Sequence, residues 1–322
     1  MATFKQLLEA SFKSNDTEEW LDIHFNRPIG LVFALLWNKL GIHPNVITII
    51  SFFLGTAAGW MFSYTDLKHN IMGIVLLVLA NFCDSTDGQM ARLTGKKTLL
   101  GRVLDGFSGD VWFFAIYVGL CIRMTHQTIP GTTMQWGAWI WVLAYVAGII
   151  CHSPQSSLAD YYRQIHLFFL KGKEGSELDN SAQQLAIYKR LGKRQLLSRI
   201  FYRSYYNYCK SQERRTPKFQ AFFASWKEAA DRAGQQQMEA PRQQFLEGSR
   251  PLMAYTNLLT FNSRAITIYV TCLLNCPWVY FLFEIIVLNI LYVYMHKRHE
   301  TLSEQMNKQV NAFTQTSNNI TH

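Results

Sequence analysis

Polar and apolar positions in this chain fall in long blocks rather than in short alternation. Apolar blocks near the roughly 20 residues that cross about 30 Å of hydrocarbon run from Pro44 to Tyr64, from Ile71 to about Met90, and from about Val103 to Met124. Three more run from Met134 to Pro154, from Thr256 to about Asn275 (interrupted by "NSRA"), and from Pro277 to Met295. The pattern predicts an all-α polytopic membrane protein with six transmembrane helices. The shorter run "RPIGLVFALLWNKL" before the first block has the length of an interfacial helix rather than of a crossing.

Between the blocks the chain divides into an N-terminal segment (1–43), four spans (44–155), a polar segment (156–250), two spans (251–296) and a polar tail (297–322), taken as mobile from about Gln305. The polar segment is expected to be mostly helical. In "QQLAIYKRLGKRQLLSRIFYRSYYNYCKSQ" apolar and aromatic residues recur every three or four positions, with arginines between them. Such a stripe is usually packing, and no catalytic residue is assigned to it; the segment could lie on the membrane surface, cover the active site or recognise a partner. The first residues do not have the order of a cleavable leader, so none is expected.

Charge adds an orientation. Lys and Arg are concentrated in "RLTGKKTLLGR", in the polar segment and in "HKRHE", which fall on one side of a six-span arrangement together with the N-terminus. That side is predicted to be cytoplasmic, which for a bacterial cell means the inner membrane. The net charge is +9, and residues 156–250 hold 17 Lys and Arg against 9 Asp and Glu, so nearly all of the excess lies there. Beside six spans the simpler partner for that charge is an anionic lipid surface, and nucleic acid is not expected. The cysteines at 83, 121, 151, 209, 272 and 276 lack the spacing of a zinc site and read as small buried hydrophobes. Asn15 and Asn319 begin Asn-x-Thr matches that carry no weight on a cytoplasmic side.

Candidate chemistry concentrates in "DSTDGQMARLTGKKTLLGRVLDGFSGD", residues 84–110, at the edge of the second and third blocks. On a helix, Asp84, Asp87, Gly88 and Ala91 share one face. Gly101, Asp105 and Ser108 form a second stripe on the next helix. Carboxylates facing one another at a membrane edge repel and are poorly solvated, and a divalent cation resolves both problems. An oxygen-only donor set favours hard ions, Mg2+ or Mn2+, with Ca2+ as a competitor. Such ions beside small residues suit the handling of a pyrophosphate, and two of them could clamp the entering and leaving groups. The alternative, helix caps and interfacial charges, does not account for three carboxylates interleaved with glycine and alanine on matching faces.

The order Asp84-x-x-Asp87-Gly88-x-x-Ala91-Arg92, eight residues, Gly101-x-x-x-Asp105 resembles the signature of the CDP-alcohol phosphotransferases. The entry "GIHPNVIT" and the six blocks are similar to that family too, over roughly the membrane-embedded two thirds of the chain; the long segment after Ser156 is not covered. The resemblance implies that Asp84, Asp87 and Asp105 hold the metal ions, probed as Mg2+ or Mn2+ and expected as a pair. It also implies that Gly88 and Ala91 leave room for the cytidine nucleotide, with Asp84 and Arg92 nearby and Asn45 and Thr48 lining the nucleotide end. It implies a homodimer, and a reaction in which an acceptor hydroxyl displaces CMP from a CDP-linked lipid or alcohol. The family's fourth aspartate, its general base, would fall at position 109, where this chain has Gly109 followed by Asp110. Asp110 is the candidate base and fourth metal ligand if a π-bulge brings it into line; otherwise it is displaced from the chemistry.

The acceptor is less legible. Arg264, inside the fifth block, either grips an acceptor phosphate or neutralises an aspartate. Lys96, Lys97 and Arg102 either hold phosphate oxygens or decorate a cytoplasmic loop. His152 either polarises a hydroxyl or is a satisfied interfacial histidine, and Glu284 has no evident partner in the sequence. The basic excess favours a phosphate-bearing acceptor, inositol phosphate first and glycerol phosphate second, with free inositol and amino alcohols open. Two other classes remain: a catalytically weakened CDP-lipid-binding scaffold, and a transporter, against which the clustering at one membrane edge counts.

Overall fold

A computed structural model describes the chain except residues 1, 2, 12, 13, 96–98, 235, 236, 321 and 322, and except the side chains of residues 10, 99, 100, 102, 103, 233 and 313–320. The described residues are mostly helical, with no strand. They form two compact units, residues 1–154 with 260–289 and residues 155–259 with 290–322.

In the first unit a short α1 (Phe4–Ser11) precedes a π-helical turn at Asp22–Asn26 and α2 (Arg27–Lys39). Pro44 opens α3 (Pro44–Met61), where the missing proline N–H costs nothing, and His43 Nδ1 caps it by accepting from the Asn45 N–H at 3.2 Å. α4 (Leu67–Thr94) starts at the Asp66 cap and stops at Gly95, whose φ of +69° is the left-handed conformation that ends many helices. At about 1.5 Å per residue, its 28 residues exceed the hydrocarbon thickness, so the motif in its last turns can reach the membrane edge. α5 (Leu99–Met124) returns antiparallel.

α3 and α5 approach through glycines. A Cβ on Gly119 would sit 2.1 Å from the Gly59 carbonyl oxygen, and one on Gly55 would sit 2.0 Å from the Trp112 ring. Gly55 and Gly59 are one turn apart, the small-residue spacing by which helices associate in lipid, where no hydrophobic drive separates them from their solvent. Gly119→Ala must therefore push the two backbones apart, at an expected cost of about 1–3 kcal/mol, read from denaturant unfolding of the detergent-solubilised protein.

The chain continues through α6 (Trp139–Tyr145), a π turn at Val146–His152 and α7 (Ser153–Lys171), which leads into α8 (Ser181–Arg190), α9 (Leu196–Arg215), α10 (Pro217–Ala233) and α11 (Glu239–Asn257). α12 (Phe261–Leu273) and α13 (Trp278–Leu282) return to the first unit, and a π turn at Phe283–Leu288 leads into α14 (Asn289–Ile320).

Four helical stretches are long and apolar enough to cross a membrane: Pro44–Met61, Leu67–Thr94, Leu104–Met124 and Trp278–Ala312. Their outward faces are apolar, with Phe53, Trp60 and Phe114 well exposed, as a hydrocarbon solvent requires. The blocks expected as the fourth and fifth spans are not among the four. The fifth forms a helix of only 13 residues, and the fourth is helical from Trp139 but interrupted by a π turn before it becomes polar. The segment expected as a mobile tail is helical as far as Ile320, because Met306 and Val310, one turn apart, are both buried.

Two polar clusters lie inside the first unit. Arg123, 5% exposed, donates to Asn70 Oδ1 at 2.8 Å, to Asn275 Oδ1 at 2.7 Å and to the Cys272 carbonyl at 3.2 Å. It thereby ties the start of α4 to the ends of α5 and α12, where a cation also complements the negative helix ends. The second cluster joins Arg264, Glu284, His152, Tyr280 and Tyr117 and bears on the candidate site described below.

The second unit is built on aromatics: Phe169, Phe219, Phe222, Trp226 and Phe245 are buried against one another, with ring centroids as close as 4.2 Å. Cys209 lies buried on α9, and burial pushes its thiol up to about 12, far from the thiolate range in which cysteines react.

Candidate active site

The motif aspartates converge. Asp84 and Asp87 sit on the last turns of α4 and Asp105 on the first turns of α5, and one carboxylate oxygen of each lies within 4.8 Å of the others. Asp87 is buried, Asp84 half-buried and Asp105 exposed, so the cluster runs from protein interior to open surface. The donors are oxygens only, without imidazole or thiolate, and their spacing allows one small hard cation to bridge all three. The residues present therefore fit a divalent ion of the magnesium class.

Neighbouring hydroxyls hold these carboxylates in place. Thr48 Oγ1 on α3 donates a short hydrogen bond to Asp87 Oδ2, and Ser108 Oγ lies 2.8 Å from both Asp84 Oδ1 and the Asp105 carbonyl oxygen. A hydroxyl donated to one oxygen leaves the other free to face a cation, and such supporting contacts commonly affect metal affinity 10- to 100-fold. Thr48→Val is expected to raise the metal concentration needed for half-maximal activity by about tenfold or more while leaving turnover at saturating metal close to unchanged, checked by metal titration of the reaction. The sequence pointed to Thr48 only as a residue of the nucleotide end; its contact with Asp87, 39 residues away, requires the packing of α3 on α4.

Around the cluster, Gly88 faces the guanidinium of Arg92, whose Nη1 would lie 3.4 Å from a Cβ at that glycine. Arg92 Nε also donates to the Ser11 carbonyl at 2.8 Å, while its Nη2 is buried without a hydrogen-bond partner among the described residues. Gln89 donates to the Arg27 carbonyl at 3.1 Å, and Ser85 to that of Asn26 at 3.3 Å, so the N-terminal segment lies along the same turns of α4. Ala91 is half-buried on the aspartate face, and Asn45 stands one turn before Thr48 at the start of α3.

Asp110 does not join the cluster. α5 is regular α-helix from Leu99 to Met124, without the π-bulge that would bring position 110 into line with Asp105. The π turns of the described chain occur instead at 22–26, 146–152 and 283–288. Asp110 is an exposed carboxylate five positions beyond Asp105, which on a regular helix turns it about 140° away from the cluster face. Lys96 and Lys97, and the Arg102 side chain, lie outside the described residues.

Arg264 has its partner in Glu284. Arg264 Nε meets Glu284 Oε1 at 2.8 Å, with the two side chains 1% and 0% exposed, and the Arg264 Nη1 donates to the Thr260 carbonyl at 3.1 Å. Tyr280 Oη donates to the same Glu284 oxygen at 2.8 Å, and His152 Nδ1 lies 3.3 Å from it. Tyr117 Oη lies 3.2 Å from Tyr280 Oη and 3.4 Å from His152 Nδ1. His152 and Glu284 both sit in π turns, and the two turns lie against each other. A π turn swings one side chain out of the α-helical register, which is why neither residue's partner could be read from α-helical spacing.

Four helices apolar and long enough to cross a membrane, with a carboxylate cluster at the ends of two of them, fit an integral membrane protein that offers a divalent cation an oxygen-only donor set. Residues 41–168 match the family model of CDP-alcohol phosphatidyltransferase. The chain is 35% identical over 102 residues to an archaetidylinositol phosphate synthase from Pyrococcus horikoshii, covering 30% of this chain and 53% of the relative. It is also 36% identical over 86 residues to an uncharacterized protein from Aquifex aeolicus, covering 26% of this chain and 42% of that one. The chain thus spans about half the length of the curated relatives it matches.

Proposed function

We propose that this protein transfers a phosphatidyl-type group from a CDP-linked lipid to an acceptor hydroxyl, releasing CMP. The observation that carries this reading is the meeting of Asp84, Asp87 and Asp105 from two helices within 4.8 Å, inside a stretch that matches the family model. These residues would hold Mg2+ or Mn2+, as a pair in the family's manner; bound there, the metal would neutralise the pyrophosphate and stabilise the leaving phosphate of CMP. Gly88 and Ala91 give the nucleotide access to the α4 backbone, and Arg92 supplies a cation beside it. The acceptor oxygen attacks the lipid-side phosphorus, the bond to CMP breaks, and the acceptor proton passes to a base.

Asp110 is the base in this reading, approached from the open side of the cluster through water or a substrate-induced shift. Asp110→Asn is then expected to lower turnover by about a hundredfold while leaving half-saturation by metal unchanged. Arg264, neutralised by Glu284, acts as a structural cation, and the acceptor phosphate is left to Lys96, Lys97 and Arg102. Inositol phosphate is the favoured acceptor, supported by the inositol phosphate in the name of the Pyrococcus relative and by the basic excess of the chain. We place the remaining two spans at Met134–Pro154 and Thr256–Asn275, α2 at the interface, the site on the cytoplasmic face, and the enzyme in a homodimer.

CMP release tests this. Purified protein in nanodiscs is given CDP-diacylglycerol, either metal, and inositol phosphate, glycerol phosphate, inositol or serine. Release that requires both metal and inositol phosphate is the expected result. The position of Asp110 off the cluster favours one second reading, a relative that binds CDP-lipid without turning it over. Saturable CDP-lipid binding with no CMP release for any acceptor would establish it in place of the first.

A further inference from the structure

Helices α8 and α9 form an antiparallel hairpin whose base is anchored and whose tip is bare. At the base, Gln212 Nε2 donates to the Ser157 carbonyl at 2.9 Å, Tyr208 Oη donates to Asp160 at 3.3 Å, and Cys209 is buried. At the tip, Arg199 fixes the turn: its Nη1 donates to the Leu191 carbonyl at 2.8 Å, and its guanidinium stacks 4.7 Å from the Tyr188 ring centroid. Beyond this stitch Leu196, Leu197 and Ile200 stand 63%, 84% and 56% exposed, at positions i, i+1 and i+4 on one face of α9. Three neighbouring aliphatic side chains do not rest in water by accident of packing, because the turn beneath them is already closed without them.

The charge around them is of one sign. Residues 181–212 contain seven Lys and Arg and no Asp or Glu, and Lys189, Arg190, Lys193 and Arg194, all exposed, ring the apolar tip. We propose that the tip of this hairpin inserts shallowly into an anionic bilayer surface, with Leu196, Leu197 and Ile200 below the headgroups and the four basic side chains among the lipid phosphates. An aliphatic patch within a basic ring offers the two attractions that a membrane interface rewards. Attraction of basic side chains to anionic headgroups and burial of the aliphatic ones act together there. A second copy of the same tip would bring like charges together, so lipid fits this surface better than self-association does.

The test uses the full chain in nanodiscs, with an environment-sensitive fluorophore on Leu197→Cys, or on Ile200→Cys as an independent position, and the signal of the identically treated parent subtracted. Discs contain phosphatidylcholine alone or mixed with phosphatidylglycerol, with or without a nitroxide on the acyl chains. The expected result is blue-shifted emission that the nitroxide quenches in anionic discs. Both effects should weaken without phosphatidylglycerol, in about 1 M salt, where the Debye length falls to about 3 Å, and when Lys189, Arg190, Lys193 and Arg194 are all replaced by Gln. Water-like emission in anionic discs would overturn the proposal, as would a blue shift that lipid nitroxide leaves unquenched, since protein rather than lipid would then cover the tip. Quenching indifferent to lipid charge would overturn its electrostatic half. None of these outcomes depends on whether the protein turns over CDP-lipid.

Discussion

Asp105→Ala will reduce acceptor-dependent CMP release by at least about a thousandfold, equivalent to ~4 kcal/mol of lost transition-state stabilisation. Asp105 is the one carboxylate that α5 contributes to the cluster among the described residues, so its removal leaves two donors on α4 and opens the surface side of the cluster. The fold should survive. Asp105 is exposed, and without a metal its charge is repelled by its two neighbours, so the variant should unfold in metal-free detergent no earlier than the parent. Two readings are needed together: CMP release over a metal titration, and unfolding with and without metal. Activity restored by excess metal would mean that Asp105 strengthens the site without being required in it, and a large loss of stability would mean that the activity loss reports misfolding.

Glu284→Leu will destabilise the protein by about 3–5 kcal/mol, because it leaves the Arg264 guanidinium charged inside the helical bundle. Arg264 is 1% exposed and accepts this environment through Glu284 Oε1, which also receives Tyr280 and lies beside His152. Replacing both members, Arg264→Met with Glu284→Leu, should recover most of the loss, since two apolar side chains of similar volume need no partner there. Unfolding of the four proteins of this cycle in detergent measures the coupling directly. If the double variant is as unstable as Glu284→Leu, the polar contacts of Tyr117, Tyr280 and His152 matter more than the ion pair.

These two residues mark where sequence reading stops. Arg264 was legible as a cation misplaced in an apolar block, and Glu284 as an anion misplaced in another, but 20 residues separate them and nothing local joins them. Their meeting depends on the π turn at 283–288, which turns Glu284 inward. The sequence suggested a π distortion near Asp110, from the glycines at 106 and 109 and from the family's spacing; the helix there is regular, and the distortions lie elsewhere. Glycine permits distortion, but opposing packing decides whether it occurs. Arg123 shows the same limit: its spacing in the sequence gives no sign of a partner, and only the convergence of Asn70 and Asn275 upon it makes it a buried fastener.

The sequence by itself determined the class of solvent, the helical class, and where the candidate chemistry concentrates. Apolar runs of membrane length can satisfy their backbone in lipid only as helices or closed barrels, and strand-like alternation is missing here. Helical spacing put Asp84 with Asp87 on one face and Asp105 with Ser108 on another, and the link between them is short enough to make the two helices neighbours. What the tertiary structure alone decided was distance and partnership. It brought the three carboxylates within 4.8 Å, set Thr48 against Asp87, left Asp110 turned away from the cluster, and neutralised Arg264 with Glu284. It also left the tip of the α8–α9 hairpin exposed, which periodicity alone would have assigned to packing. The physical reason is common to all of these: periodicity fixes which face of a helix a residue occupies, but its neighbour is fixed by the helix packed against that face, by glycines that set how close the backbones come, and by π turns that shift the register.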